Sequence, residues 1–421
     1  MMISTCLEPG NAAPSQRGES DGECPASGRF PHTLGGADET VVPLDGDIWV
    51  EHRPLAETST ELNADWDDLA AQAASPNVFY ERWNLRAAQQ HIAPTASVEL
   101  VLIYRRSRKP GGAPRLCGLF PLLKERCSKL PLMSWRLFEY AHGYLQTPLI
   151  RSGQERPVLE AFLDWASSLS SGPGLLDWSL IDGDGPIAHA LADLVAERRL
   201  VTMTLDIHSR AVLRRKANWE QAAATSLSSH HRRELRRQHR RLNDMGDLTV
   251  RSLNTDEDLS AWQQAFLRLE QSGWKGDSGT AIAEEGRDRS YFLQMSTSAH
   301  KARQLRMIGL FLNGEPIAMR TSLLSGGGSF AWKIAYDEKF SKFSPGVQLE
   351  IENVRDMHEE TQLDWMDSCA RAEHFMINRV WSDRRMIQHV LISLGGRVAN
   401  LAIGSLPLAR AIKRSLRPNR N

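Results

Sequence analysis

The residues best placed to do chemistry lie between Tyr336 and Glu350, where a run of β-forming residues gives way to a polar loop and then to a helical pattern. Ser344-Pro345-Gly346 opens that pattern, with Ser344 suited to the N-cap and Pro345 to the first helical position. Free backbone N–H groups and the helix dipole at such a start cradle an anion, and Gly346 lets a phosphate approach the backbone closely. Capping without any ligand is the ordinary alternative, because every helix needs a start. Asp337 and Glu338 sit just past the strand end, Tyr336 offers a phenolic proton, and Glu270 precedes the segment Ser272-Gly273-Trp274-Lys275.

A second cluster is basic. His230 to Arg241 holds six arginines. In a helix, Arg233, Arg236, Arg237 and Arg240 share one face, while Leu235 and Leu242 lie seven apart on another. Such a face suits a phosphorylated ligand, an anionic glycan, or water alone, and it would serve equally as a salt-bridged strut. A third cluster runs from Asp364 to His374, where Cys369 and His374 invite comparison with a nucleophilic pair.

The elements that must hold these residues are legible in the pattern of the chain. With 421 residues, 41% of them hydrophobic, two cores are expected. Fifty-one basic residues balance fifty-one acidic ones, so the overall field calls for neither DNA nor an anionic membrane as an obligatory partner. No run approaches the ~20 apolar residues of a membrane span, and the first residues lack a signal-peptide pattern, so a cytoplasmic location is expected. Five scattered cysteines, never as C-x-x-C, argue against a disulfide framework or a zinc site; no metal is expected.

Residues 1–45, rich in Gly, Pro, Ser and Asp, read as a disordered tail. Residues 46–212 read as one α/β half. It has a helix opening at Asp65, strands at Ser97–Tyr104 and Leu116–Leu122, a helix from Val158 to Ser168, a strand from Leu175 to Ile181, a helix from Pro186 to Arg199 and a strand from Val201 to Ile207. Residues 213–400 repeat the plan. A helix from Asp256 to Gln271 precedes two strands joined by Asn313-Gly314, the strongest short hairpin signal. A strand from Phe330 to Tyr336, a helix from about Gly346 to His358 and a strand from Leu363 to Asp367 complete it. The return strands of the two hairpins occupy the same place in their halves, which suggests a weak internal duplication. Residues 401–421 read as a basic amphipathic tail able to touch a membrane surface, a partner or the parent domain.

Ser226 to Arg237, Gly273-Trp274-Lys275-Gly276, and Lys333 to Asp337 followed by Ser344-Pro345-Gly346 resemble, in order, the blocks of the CelD-like (cellulose-biosynthesis-type) GNAT acetyltransferase family, itself related to the FemAB-type aminoacyl transferases. The resemblance covers about Trp219 to Arg397, with 48–210 as the accompanying upstream half. It implies an α/β (α+β) fold of two tandem GNAT-like halves, each a mixed, mainly antiparallel sheet flanked by helices. It implies acetyl-CoA or another acyl-CoA as co-substrate, with the pyrophosphate held around Ile334, Ala335, Ser344, Gly346 and Val347. The chain departs from the superfamily signature there, Gln/Arg-x-x-Gly-x-Gly/Ala, with Phe343 in place of Gln or Arg at the first position and Gln348 in place of Gly or Ala at the last.

Acyl transfer to an amine needs a base, donors to the thioester oxyanion and an acid for the leaving thiolate. Asp337 or Glu270 is expected as base and Tyr336 as acid, because they stand at the strand and helix ends beside those blocks. Trp274, Lys275, Asp367, His374, Arg233 and Arg237 are expected to contact the acceptor, a small molecule or glycan precursor. Arg379 and Trp381 are further candidate walls, Trp381 equally a core residue. Direct attack, as the family uses, leaves Cys369 without a catalytic task. The alternatives carried forward are an aminoacyl-tRNA donor and a non-catalytic scaffold in polysaccharide assembly. The first half, lacking any counterpart of Ser344-Pro345-Gly346, is expected to be structural.

Overall fold

A computed structural model describes residues 40–43, 47–107, 110–226, 228–254, 257–272, 286–359, 362–374 and 376–415. The first half supplies strands β1 (Thr40–Pro43), β2 (Ile48–Pro54), β3 (Glu99–Arg105), β4 (Arg115–Arg126), β5 (Met133–Leu137), β6 (Leu149–Ile150), β7 (Leu175–Asp182) and β8 (Thr202–Arg214). The second supplies β9 (Leu248–Ser252), β10 (Leu305–Leu312), β11 (Glu315–Ser325), β12 (Gly328–Tyr336), β13 (Trp365–Asp367) and β14 (Asp383–Ser393). They join one sheet in the order β1-β2-β3-β4-β5-β7-β14-β8-β13-β12-β11-β10-β9, with β6 attached to β4.

Every pairing is antiparallel except β5 with β7 and β12 with β13. These two exceptions occupy equivalent places. In each half a strand is followed by two helices, a hairpin, a third strand, a helix and then the parallel strand. A parallel partner requires a crossover connection, and the helices Glu155–Ser168 and Pro345–Glu359 provide it. The mixed, mainly antiparallel sheet flanked by helices, twice over, is therefore the architecture of the chain.

Local chemistry explains most boundaries. Asn313 and Gly314 take φ of 54° and 83°, as a two-residue hairpin demands, and set Leu312 opposite Glu315. The helix Leu259–Ser272 buries Trp262, Phe266 and Leu269 on one face. The halves share a core: Phe79 packs edge-on to Phe330 with ring centroids 5.4 Å apart, and Tyr291 Oη donates to Asn84 Oδ1 at 2.7 Å.

One departure from a simple tandem is decisive. The late strand β14 inserts between β7 and β8 of the first half, and β8 in turn pairs with β13. The C-terminal helix Arg397–Ser415 buries Ala399 and Ile403 against Leu175 and Leu391, while Val398, Leu401 and Leu408 are exposed. Among the described residues no helix is long and apolar enough to cross a membrane.

Candidate functional site

The site is built where β12 and β13 part company. Their parallel pairing lasts only three residues, Gly328–Phe330 against Trp365–Asp367, after which β12 runs on to Tyr336. Asp337 ends the strand by capping a short 3-10 turn, Glu338–Phe343, its carboxylate accepting from Lys339 N at 2.9 Å. Ser344 then takes a left-handed φ of 52° and turns the chain into the helix Pro345–Glu359.

Gly346 presses that helix start onto the strand end. A Cβ there would stand 3.3 Å from Tyr336 Cδ1 and 3.7 Å from Ile334 Cδ1. The backbone N–H groups of Gly346 and Val347 have no acceptor among the described residues, and the positive end of the helix dipole lies at the same point. Ile334, Ala335, Tyr336, Ser344, Gly346 and Val347 are thus brought together by the turn. The cap differs from the sequence expectation. Ser344 accepts from Gln348 N through its carbonyl, at 3.0 Å, and the side chain that closes the helix start is Gln348, whose Nε2 donates to Phe343 O at 2.8 Å.

Gln348 also explains its own departure from the small-residue signature: its Oε1 lies 2.9 Å from His239 Nδ1 on the basic helix Ser229–Asn243. That helix, capped by Ser228 Oγ accepting from His231 N, buries Leu235 and Leu242 and leans on Pro345–Glu359. Between them lies a cavity of about 700 Å3, lined on one side by Arg232, Arg233, Arg236 and Arg240 and on the other by Gln348 and Glu352. Arg233, Arg236 and Arg240 have no carboxylate partner among the described residues. Arg237 is elsewhere. It is exposed and paired with Glu234 at 2.6 Å.

Glu270 is 2% exposed at the end of its helix and lies 3.5 Å from Lys333 Nζ on β12. His142, from the first half, approaches the same place: it stacks on Tyr291 at 5.8 Å, meets Asp288 Oδ2 at 3.1 Å, and has its pKa lowered by burial and then by the charge of Lys333. Burial, followed by Glu338, raises the Tyr336 phenol. Lys333 entered the sequence reading only as the first residue of a block, with no role of its own; His142 and Asp288 escaped it, since neither carries a motif and only the fold brings position 142 to position 291. Trp274 and Lys275 lie outside the described residues.

Asp367, at the end of β13, is buried between two arginines and accepts from Arg210 Nη2 at 2.8 Å and Arg385 Nη1 at 2.7 Å. Burial acts to raise its pKa, but Arg210 and Arg385 outweigh it and hold the carboxyl below its usual range. Trp381 is core: it is fully buried and donates to Glu350 Oε1 at 2.9 Å, beside the buried Arg320–Glu350 ion pair. His374 is exposed, and its Nδ1 accepts from Ile377 N at the start of a short helix. Arg379 lines a separate surface hollow with His230 and Glu234.

Cys369, with φ of 54°, accompanies Asp367, and burial first, then Asp367, pushes its thiol far up. Only thiolate is nucleophilic. Replacing Cys369 with Ser is accordingly expected to leave turnover unchanged, and the native thiol is expected to resist alkylation near neutral pH until the chain is unfolded; rapid labelling of folded protein would contradict the geometry. No group of His, Cys, Asp or Glu among the described residues is arranged to hold a metal ion.

The mixed sheet, with its parted parallel strands and flanking helices, has the GNAT-like fold. Residues 229–375 match the family model described as an acetyltransferase (GNAT) domain, so the second half carries such a domain. Among solved structures, FemX aligns with TM-score 0.54 and 11% identity over 83% of this chain and 98% of its own, a likeness of fold. A conserved protein of unknown function from Bacteroides thetaiotaomicron VPI-5482 aligns with TM-score 0.48 and 11% identity, covering 79% of this chain and 97% of its own. A tandem GNAT protein from the clavulanic acid biosynthesis pathway aligns with TM-score 0.42 and 14% identity, covering 82% and 99%. No curated protein sequence matches the chain.

Proposed function

We propose that the protein transfers an acyl group from acyl-CoA to an amine or hydroxyl acceptor, with the pyrophosphate of the donor at the start of the Pro345–Glu359 helix. The observation that carries this reading is the pair of acceptor-less N–H groups at Gly346 and Val347, set beside the unpaired run of β12. Two adjacent donors at a helix start match a phosphate oxygen pair, and the free edge of β12 from Ala331 to Tyr336 offers backbone groups to an extended pantetheine arm. The acyl carbonyl then falls near Lys333, and Glu270 takes the proton from the attacking amine while Tyr336 supplies one to the thiolate. Donors placed for the developing oxyanion strengthen in the transition state alone. A glycan precursor is the proposed acceptor, in keeping with the cellulose-biosynthesis-type resemblance.

Titration of acetyl-CoA into the full chain and into a Gly346→Trp variant tests the donor site. An indole at 346 fills the space now bounded by Tyr336 and Ile334, so affinity is expected to fall by roughly 100-fold, equivalent to about 2.7 kcal/mol, with an unchanged circular dichroism spectrum. Undiminished binding by the folded variant would place the donor elsewhere.

The unpaired Arg233, Arg236 and Arg240 favour a second reading, an aminoacyl-tRNA donor whose backbone crosses the 700 Å3 cavity. It requires binding that weakens steeply with salt, as counterion release dictates. Acetyl-CoA binding that is lost in Gly346→Trp, with no tRNA binding at moderate salt, decides for the first reading.

A further inference from the structure

We propose that the first half carries a second anion site, which takes the diphosphate group of a soluble ligand of nucleotide size. The site is a cavity of about 570 Å3 lined by Arg105, Arg106, Arg115 and Arg151, with Gln72 and Gln154 at its wall. Its volume falls within the ~300–1,000 Å3 of ordinary ligand clefts.

Arg151 is the informative residue. It is 5% exposed, and it is pinned by bonds from Nε and Nη2 to the Leu116 carbonyl at 3.1 and 2.9 Å and from Nη2 to Asp68 at 2.6 Å. Its Nη1 is buried with no hydrogen-bond partner. Buried donors in native proteins are nearly always satisfied, so a fixed guanidinium with one nitrogen unspent calls for an acceptor. Arg105 Nη1 donates to Gln154 Oε1 at 2.5 Å, an uncharged partner. Arg106 and Arg115 are exposed and have no carboxylate partner among the described residues.

Charge counting selects the ligand class. Among the described residues, four guanidinium groups face one carboxylate in contact, Asp68, with Asp65 near enough to feel Arg151. A lone carboxylate ligand would leave most of that charge uncompensated; a diphosphate neutralises it and accepts the paired N–H bonds that guanidinium forms.

The position agrees independently. The helix Glu155–Ser168 begins at Gln154 on the cavity wall, and Gln154 makes no side-chain cap bond to it. This helix follows β5 and precedes the parallel strand β7, the place that Pro345–Glu359 holds in the second half. The two halves thus each set a helix start beside unspent donors, though the Ser-Pro-Gly signal occurs in one only. The second site does not depend on the donor reading given above.

The test uses the full chain carrying Gly346→Trp, which fills the helix start proposed for the donor, with Arg236→Ser and Arg240→Ser, which remove charge from the other basic cavity, and titrates inorganic pyrophosphate and ADP by calorimetry. Saturable binding of both, competing for one site, is expected. Adding Arg106→Ser and Arg115→Ser, exposed residues whose side chains make no hydrogen bond or ion pair among the described residues, is expected to weaken both by at least about tenfold through the loss of charge-assisted bonds, with an unchanged melting temperature of the unligated protein. Absence of saturable binding in the first protein, or affinity unmoved by the Arg106 and Arg115 changes, would overturn the proposal, whatever acetyl-CoA does at Gly346.

Discussion

Glu270→Gln is expected to lower kcat by ~100- to 10,000-fold, the usual range for loss of a general base, while the KM for acyl-CoA stays near its original value. The expectation rests on placement. Glu270 is buried at the end of Leu259–Ser272, its carboxylate 3.5 Å from Lys333 Nζ, and Lys333 precedes the Ile334–Tyr336 strand end against which Gly346 is packed. Gln keeps the shape and can still accept from Lys333, so the donor site keeps its form while proton transfer is lost; the neutral amide beside a largely buried ammonium is expected to lower the melting temperature, which is measured alongside. Asp337 is the internal control. Its carboxylate is spent on Lys339 N in the turn, and Asp337→Asn retains an oxygen for that bond; its kcat is expected to stay close to that of the unaltered protein. Steady-state kinetics on the two variants with one acceptor decide the matter, and an unimpaired Glu270→Gln enzyme would remove Glu270 from the mechanism.

What the chain disclosed in advance was mostly local. Asn313-Gly314 can do little but turn a hairpin, and Leu259, Trp262, Phe266 and Leu269 can share a face only in a helix; both are as the pattern requires. The strand at Phe330–Tyr336 and the helix near Gly346 were legible for the same reason. What stayed hidden was set by partners distant in sequence. Nothing in Asp383–Ser393, with Asp, Arg, Gln and His among its residues, reads as a strand at the centre of a sheet. It is one because β7 and β8 flank it, and its polar side chains are matched there by Asp177, which meets His389, and Asp182, which meets Arg385. Gln348 reads as a defect in a phosphate signature until His239 is seen beside it. Arg237 shares a helical face with Arg233 and Arg240 by spacing, yet Glu234, one turn earlier, claims it. Periodicity fixes which side chains share a face and is silent on which of them find a local partner.

The joint between the halves carries the other large effect. Arg210 on β8, Asp367 on β13, Arg385 on β14 and Asp182 on β7 form one buried chain of charge across the place where the late strand enters the early sheet. Asp367→Asn keeps the shape but leaves two guanidinium groups facing a neutral amide, and breaking a buried pair in this way costs ~3–5 kcal/mol. The pH dependence follows from the direction of the shift. Arg210 and Arg385 hold the Asp367 carboxyl below its usual range in the folded protein despite burial, so the folded state binds its proton less readily than the unfolded chain. The stabilisation is therefore complete above the unfolded carboxylate pKa of about 3.9 and is lost as pH falls below it toward the folded value. Urea unfolding of the two proteins is expected to show the full gap at neutral pH and a narrower one as acid is added through that range. A gap that widened on acidification would mean that Asp367 is not the anion that joins the halves.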